Sequence, residues 1–476
     1  MLEGLEISVL NMSEVLNDNK TKRFDSEYFK KEFLKIDKNI ISSDYNRLVS
    51  LCEKITDFGA FSQNNFIEYK KNGSHYFIRN QDIENSFIKD DKIFIEQDVY
   101  EKLSLKLNEF DLLLQRTGSI GKSGLVLKKD LPSSANQNLA QIKPNLTKIN
   151  PYFLNVFLNS LIGQKTFERL ATGNVQPWLN LGQIESVKIP SLSEKFQLKI
   201  EEIVKSLFSK TQNSKTLYTQ AENILLEEIG LQNFTPSKEP VNIKSFTDSF
   251  ATSGRLDAEY YQKKYDIIEG FIKSYKNGFS TLGQSIEYLK TGEYSSSYIK
   301  KNSSNNYYLR NTNISNGKIT PDDNYAIDSN QFKTKACLNE ILTSRVGTIG
   351  LFGVVNKEFV NSVYSDNVLC FKLRDNFTPL VYSILFSTEP YQLLLEKLAG
   401  GSVQPLITQT SLKLLPIPII EFSKQKQIAD LIEQSFSLKK QSEHLLEVAK
   451  KAVEIAIEEN EEVAIKYINN QSNTNG

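Results

Sequence analysis

The residues best suited to chemistry sit in a glycine-rich hexapeptide that occurs twice. It reads Arg116-Thr117-Gly118-Ser119-Ile120-Gly121 and later Arg345-Val346-Gly347-Thr348-Ile349-Gly350. Glycines let a backbone approach a ligand closely, a hydroxyl and bare amides hold a phosphate, and an arginine pairs with a phosphate or a guanine edge. The same residues suit a structural hairpin whose glycines take positive φ, and both readings stand for the glycines. For Arg116 and Arg345 the ligand-contacting reading is the stronger. The first copy continues as Lys122-Ser123 and superficially matches a nucleotide-phosphate loop. That loop needs another glycine where Arg116 stands, and the second copy follows with Leu351-Phe352 and has no lysine, so an NTPase loop is excluded.

Further polar residues fall at matching places. Arg79-Asn80 and Arg310-Asn311 each follow a tyrosine-rich, strand-like run. Arg and Asn are the types that read guanine and adenine bidentately, although a solvated surface turn is an equal alternative. Asn136-Gln137-Asn138 stands opposite Ser365-Asp366-Asn367. The amide-rich version suits base edges, and the difference between copies is what two different half-sites would require. Gly173, Gln176, Gly401 and Gln404 are expected to shape loops, and Trp178 to be a packed aromatic.

Catalysis finds little support. The two histidines, His75 and His444, have no duplicate in the other copy, so histidine acid–base or triad chemistry has no basis. No Pro-Pro occurs, which removes the Asn/Asp-Pro-Pro-aromatic segment of an amino-methyltransferase. Asp322, Asp328 and Lys333 are loosely spaced for a nuclease and are missing from the first copy. Cys52, Cys337 and Cys370 are far apart and form no Cys/His cluster, so no zinc site is expected; they suit buried positions in a reducing cytoplasm.

The elements that position these residues come from an internal duplication. FDSEYF at 24–29 matches LDAEYY at 256–261, and YFIRN at 76–80 matches YYLRN at 307–311. The hexapeptides follow, then LATGNVQP at 170–177 against LAGGSVQP at 398–405, then Ile189-Pro190 against Ile417-Pro418 and Gln197 against Gln425. The offset drifts only from 232 to 228 and the order never breaks. Within each copy, 111–115 and 124–128, or 340–344 and 351–355, read as strands around the glycine turn. Pro151 and Pro379 fit the first turns of helices. Each copy ends in a long helical pattern. The first runs from about Glu194 to Ile229 and the second from about Lys424 to Ile468. Ile428, Leu431, Ser435, Leu438, Ser442, Leu445, Ala449, Ala452 and Ala456 form one stripe with the spacing of a coiled-coil seam. A helix of roughly 36 residues spans about 54 Å at about 1.5 Å per residue, about one and a half turns of B-DNA.

The 476 residues contain 57 basic and 57 acidic side chains and 39% hydrophobic residues. Such a chain buries sizeable cores and forms more than one domain. The two long-helix segments carry net charges of −1 and −3, leaving +4 for the globular parts. DNA affinity would then have to come from local patches or partners. No apolar run reaches membrane-spanning length and the start lacks a secretory pattern, so a cytoplasmic location is expected.

Taken together, the chain resembles the specificity subunit of Type I restriction-modification systems. The resemblance rests on the openings Arg23-Phe24-Asp25-Ser26-Glu27-Tyr28 and Arg255-Leu256-Asp257-Ala258-Glu259-Tyr260. It rests also on the Arg-x-Gly-x-Ile-Gly turns, the Gly-x-x-Gln elements, and the stretches from Ile189-Pro190 to Ile200 and from Ile417-Pro418 to Ile428. Lys195-Phe196-Gln197 and Lys424-Gln425 stand where the family often shows Glu-Gln. The resemblance implies a mixed α/β (α+β) fold with two similar target-recognition domains separated by long antiparallel coiled-coil helices in a pseudo-twofold repeat. Expected boundaries are 1–192 and 231–418 for the recognition domains, 193–230 and 419–468 for the spacer helices, and 469–476 for a disordered tail. It implies a non-catalytic subunit that binds double-stranded DNA, each domain reading one half of a two-part target. Methyltransferase subunits would dock on the coiled coil and restriction/translocase subunits would join. The chain itself would hold no cofactor or metal, with S-adenosylmethionine, ATP and magnesium on those partners. A standalone nuclease and a coiled-coil scaffold remain the alternatives. The DNA-contacting candidates come from comparing the copies: Arg79, Asn80, Arg116, Gly118, Ser119, Gly121, Lys122, Asn136, Gln137 and Asn138, with Arg310, Asn311, Arg345, Gly347, Thr348, Gly350 and Asn367.

Overall fold

The computed structural model describes residues 6–16, 19, 22–42, 44–59, 67–84, 86–173, 175–239, 241–298, 306–321, 327–400 and 404–473. Helices and strands mix throughout. Two compact units emerge, Met1–Thr211 with Lys439–Gly476, and Gln212–Leu438. The division falls inside both long helices, so each unit holds one globular head and parts of both helices.

In the first unit, four antiparallel strands lie side by side in the order Cys52–Asp57, Leu139–Pro144, Leu112–Gln115, Ser123–Leu125. The apolar run Leu112-Leu113-Leu114 has no solvent exposure. Its period of two sends Leu112 and Leu114 to the cluster around Phe153 and Phe157, and Leu113 to one with Ile78, Val126 and Leu139. The helix Pro151–Asn159 covers the first face. Its first turn is satisfied by Asn150, whose side-chain oxygen accepts from the amides of Tyr152 (2.9 Å) and Phe153 (3.2 Å).

The second unit repeats this plan. Strands Ile286–Thr291, Val368–Leu373, Ile341–Ser344 and Phe352–Val354 form a sheet in the same order. Ile341 and Leu342 again part to opposite clusters, and the helix Pro379–Ser387 covers the sheet. Gln197 Oε1 accepts the Asn150 amide at 3.0 Å and Gln425 Oε1 accepts the Thr378 amide at 2.7 Å. The paired glutamines thus tie the start of each long helix to the helix that covers the sheet.

The first long helix is Glu194–Glu228 and the second is Phe422–Glu458. In the first unit, Phe196, Ile200 and Ile203 pack in one cluster with Val448, Ala449, Ala452 and Ala456. Lys210 Nζ donates to Gln441 (2.7 Å), and the Ser193 amide donates to Glu461 (2.6 Å), so the segments run antiparallel there. In the second unit, Ala221, Leu225 and Ile229 share a cluster with Ile428 and Ile432. Ser214 Oγ donates to the Ser435 carbonyl (2.7 Å) and Ser435 Oγ to the Ser214 carbonyl (2.8 Å), both serines being buried. A small seam residue therefore brings two backbones close enough for reciprocal bonds.

The C-terminus differs from expectation. Instead of a single helix to 468, there is a break after Glu458 and a further helix, Glu461–Asn473, which takes in the first part of the expected tail, while 474–476 lie outside the described residues. Asn460 causes the restart, its side chain accepting from the Val463 amide at 3.0 Å. Ala464 and Ile468 are buried in the first unit's core, which seats this helix there.

Candidate nucleic-acid interface

The duplicated hexapeptides are turns between two antiparallel strands, Leu112–Gln115 with Ser123–Leu125 and Ile341–Ser344 with Phe352–Val354. Gly118 and Gly121 have φ of 73° and 79°, and Gly347 and Gly350 have 74° and 76°, a region costly for any residue with a Cβ. Both turns are braced alike. Gln164 Nε2 donates to the carbonyls of Gly121 (2.9 Å) and Leu158 (2.8 Å); Gln392 Nε2 donates to those of Gly350 (2.8 Å) and Phe386 (2.7 Å). These glutamines went unnoticed in the sequence, although they sit 228 residues apart, the same offset as their neighbours.

Three of the candidate segments converge in the first head. The Asn136 amide donates to the Ile78 carbonyl (3.0 Å) and the Arg116 amide to the Asn138 carbonyl (2.9 Å). Asn80 Nδ2 donates to the Thr117 carbonyl (3.0 Å), and Gln115 Nε2 to the Asn80 carbonyl (2.6 Å). In the second head Ser365 donates to Leu309 (2.9 Å) and Arg345 to Asn367 (3.0 Å). The side-chain tie does not recur: Ser344 replaces Gln115 and Val346 replaces Thr117, and Ser344 Oγ is used by the Leu351 amide (3.0 Å). Gly118, Ser119, Lys122, Thr348 and Asn367 are exposed, Gly121 and Gly350 buried, and Gln137, Asn311 and Gly347 half-buried.

The arginines differ in what they face. Arg79 makes a two-point pair with the buried carboxylate of Asp82, Nε at 3.0 Å and Nη2 at 2.9 Å. That carboxylate also accepts the Arg79 amide at 2.8 Å, and its hydrogen bonds raise the arginine's pKa. In the second head Asn313 takes the place of Asp82 and accepts the Arg310 amide at 2.9 Å. Arg116 is held by the Leu179 carbonyl (Nε, 3.0 Å) and by Asp57 (Nη1, 2.8 Å). Asp57 is a partner that sequence inspection missed, because it lies 59 residues away on another strand. Arg345 has a buried Nε with no hydrogen-bond partner.

Other expectations sort plainly. Trp178 is not packed: it is 42% exposed, and its backbone bridges to Thr117 of the turn. Gly173 does shape its loop, with φ of 102° and the Gln176 carbonyl 2.6 Å from where a Cβ would sit. Gly401 and Asp322 lie outside the described residues. The opening motif is structural. Arg23 pairs with Asp25 (2.7 and 2.6 Å), which lowers that carboxyl's pKa, and lies 5.1 Å from the Tyr28 ring centre. Arg255 repeats this with Asp257 (2.8 and 2.5 Å) and Tyr260 (4.5 Å). Burial pushes the Cys52 thiol up to about 12 and the Cys370 thiol well above its ordinary value. Among the described residues no cluster of three or more His, Cys, Asp or Glu is arranged to hold a metal, and no helix is long and apolar enough to cross a membrane.

Comparison with known proteins places this arrangement. Residues 261–448 match the family described as Type I restriction modification DNA specificity domain. The match covers the second turn, its covering helix and the start of the second long helix, and bears out the resemblance to a Type I specificity subunit carried by the duplicated motifs. The first head, outside the matched residues, repeats the same sheet order, turn and glutamine braces. A curated relative, the Type I restriction enzyme EcoBI specificity subunit of Escherichia coli, is 27% identical over 179 residues, 38% of this chain and 34% of that protein. The aligned stretch thus spans about a third of the relative's length. Among solved structures, the Type-I restriction-modification system S subunit from M. genitalium overlaps 87% of this chain and 95% of its own, at 11% identity and TM-score 0.42. The HsdS subunit from Thermoanaerobacter tengcongensis overlaps 88% and 97%, at 13% identity and TM-score 0.29.

Proposed function

We propose that this chain is the DNA-reading subunit of a Type I restriction-modification complex, with each head taking one half of a two-part double-stranded target. The observation that carries the reading is the same three-segment junction, built twice on one backbone plan, with different polar residues in each copy. Shared glycines and braces suit a shared docking geometry. The exchange of Asn136-Gln137-Asn138 for Ser365-Asp366-Asn367, and of Gln115 and Thr117 for Ser344 and Val346, suits two different base sequences. The paired long-helix segments would act as an antiparallel spacer that fixes the gap and docks methyltransferase subunits, which restriction/translocase subunits then join. S-adenosylmethionine, ATP and magnesium would act on those partners, and the reading assigns this chain no reaction of its own.

The test is a head exchange. The chain is co-expressed with its methyltransferase, and methylated sites are mapped genome-wide by long-read sequencing. Replacing residues 24–190 with the corresponding part of another such protein should change one half of the methylated sequence and leave the other half and the gap. An unchanged methylated sequence would sink the reading. Metal-dependent cleavage by the isolated chain would replace it with an enzyme.

A further inference from the structure

The two glycine turns carry the same arginine in different electrostatic settings. Arg116 follows the strand that pairs with Leu139–Pro144, and Asp57 sits across that same strand, opposite Ala140. Its carboxylate meets Arg116 Nη1 at 2.8 Å, with the arginine side chain 14% and the aspartate 35% exposed. The Leu179 carbonyl takes Nε at 3.0 Å. This cation is oriented and neutralised by its own fold.

In the second head the strand register is the same and the acid is gone. The residue across from Leu369, the counterpart of Ala140, is Thr291. Its hydroxyl is occupied by Gln409 Nε2 at 2.7 Å. The next acid along the chain, Glu293, is engaged elsewhere. Its carboxylate accepts from the amides of Lys333 (2.9 Å) and Thr334 (2.6 Å) and from the Thr334 hydroxyl (2.5 Å). The Arg345 side chain accordingly makes no hydrogen bond or ion pair among the described residues, and its Nε is buried without a partner. The buried Nε shows that the fold does not neutralise this guanidinium, and the solvent-facing part of the half-buried side chain can meet an incoming anion at little cost in ordering. The amides of Gly347 and Gly350 donate to the Pro405 (3.2 Å) and Ser344 (3.3 Å) carbonyls, so the ligand-facing neighbour of the arginine is the exposed Thr348, whose hydroxyl suits a phosphate oxygen.

We propose that Arg345 is a phosphate-contacting cation of the second head, whereas Arg116 is withheld from that role by Asp57, so the two turns contribute unequally to DNA affinity. The proposal rests on the DNA-reading function above. It makes residue 57/291 a determinant of backbone affinity, one that acts through the arginine rather than by touching DNA.

The experiment measures binding of the full chain to a labelled mixed-sequence duplex over a range of salt concentrations. Each phosphate contact contributes roughly 0.9 to the slope of log affinity against log salt. Arg345→Ala should flatten the slope by about 0.9, equivalent to about a threefold affinity change across a fourfold salt range. Arg345→Lys should keep the slope. Thr291→Asp retains an acceptor for Gln409 and should flatten the slope as Arg345→Ala does. Asp57→Thr should steepen the slope by a similar amount by releasing Arg116, and Arg116→Ala should leave it nearly unchanged. Equal flattening by Arg116→Ala and Arg345→Ala would overturn the proposal. So would an unchanged slope in Arg345→Ala and Thr291→Asp, whether or not sequence preference shifts. A wild-type chain that binds no duplex even at low salt would overturn the DNA-reading function itself, which keeps the two failures apart.

Discussion

Replacing Gly118 and Gly121 by alanine separates two reasons for a glycine within one turn. Both residues have positive φ, 73° and 79°, and an L side chain there costs roughly 1–2 kcal/mol. At Gly118 a Cβ would have nothing within 4 Å, so Gly118→Ala should lose only that amount. At Gly121 a Cβ would fall 2.5 Å from Cδ2 and 2.7 Å from Cβ of Phe167. Phe167 has no solvent exposure and lies in the helix Leu161–Leu170, so its Cβ moves only if the helix moves. Overpacking of this kind adds roughly 1–3 kcal/mol, giving about 2–5 kcal/mol in all. For a unit of this size each kcal/mol lowers Tm by about 2–4 °C. Thermal unfolding of the full chain followed by circular dichroism should therefore show a drop of a few degrees for Gly118→Ala and a drop two to three times larger for Gly121→Ala. Equal shifts would mean that Phe167 yields freely and that backbone conformation alone selects both glycines.

Three further outcomes follow from the packing. Ser435→Ala removes one of the reciprocal Ser214–Ser435 bonds and should cost about 1 kcal/mol, read by urea denaturation. Ser435→Leu places a large side chain in the same buried seam and should cost more, by about 1–3 kcal/mol. Deleting Glu461–Gly476 removes the carboxylate that accepts the Ser193 amide and the buried Ala464 and Ile468. Losing the isoleucine alone costs roughly 1.5–3 kcal/mol, so limited proteolysis should attack the first unit faster in the truncated chain. Glu269 gives a pH signature. Burial by itself raises its carboxyl, but Lys397 and Lys273 outweigh that and hold it below its ordinary value. A lowered carboxyl stabilises fully above the unfolded pKa of about 4.3 and loses that contribution as pH falls through the folded value. Glu269→Gln should therefore lower Tm at neutral pH, and its difference from wild type should begin to shrink below about pH 4.3 and vanish only once the lowered carboxyl itself is protonated.

Much of the architecture was legible because folding demands repeat with the sequence. Pro151 and Pro379 mark helix starts in both copies, and the apolar runs at 112–114 and 341–342 become central strands. Ser435 and Ser442 fell on the seam stripe, and both are buried. The break at 459–460 was not legible, because a lone Asn inside a charged run does not reveal that its side chain will cap a new helix turn. Trp178 misled for a related reason. Large aromatics are usually packed, but its place beside the turn is set by backbone bridges to Thr172 and Thr117 that no periodicity encodes.

At the site, identity of residue type proved a poor guide to identity of role. Arg79 and Arg310, and Arg116 and Arg345, align without ambiguity, yet each pair meets different groups. The partners lie on other strands or across a short turn, and the duplication did not preserve them: Asp82 became Asn313 and Asp57 became Thr291. Both changes replace a carboxylate facing an arginine by a neutral group. What the copies kept is what the backbone requires, namely four positive-φ glycines and the Gln164 and Gln392 braces. A turn conserved for its own folding would have no reason to lose its acids while keeping its arginines, since an acid next to a half-buried guanidinium satisfies it within the protein. At Arg345 the second head leaves that satisfaction to something outside the chain, and the open part of this half-buried guanidinium, whose buried Nε has no partner, marks where it would bind.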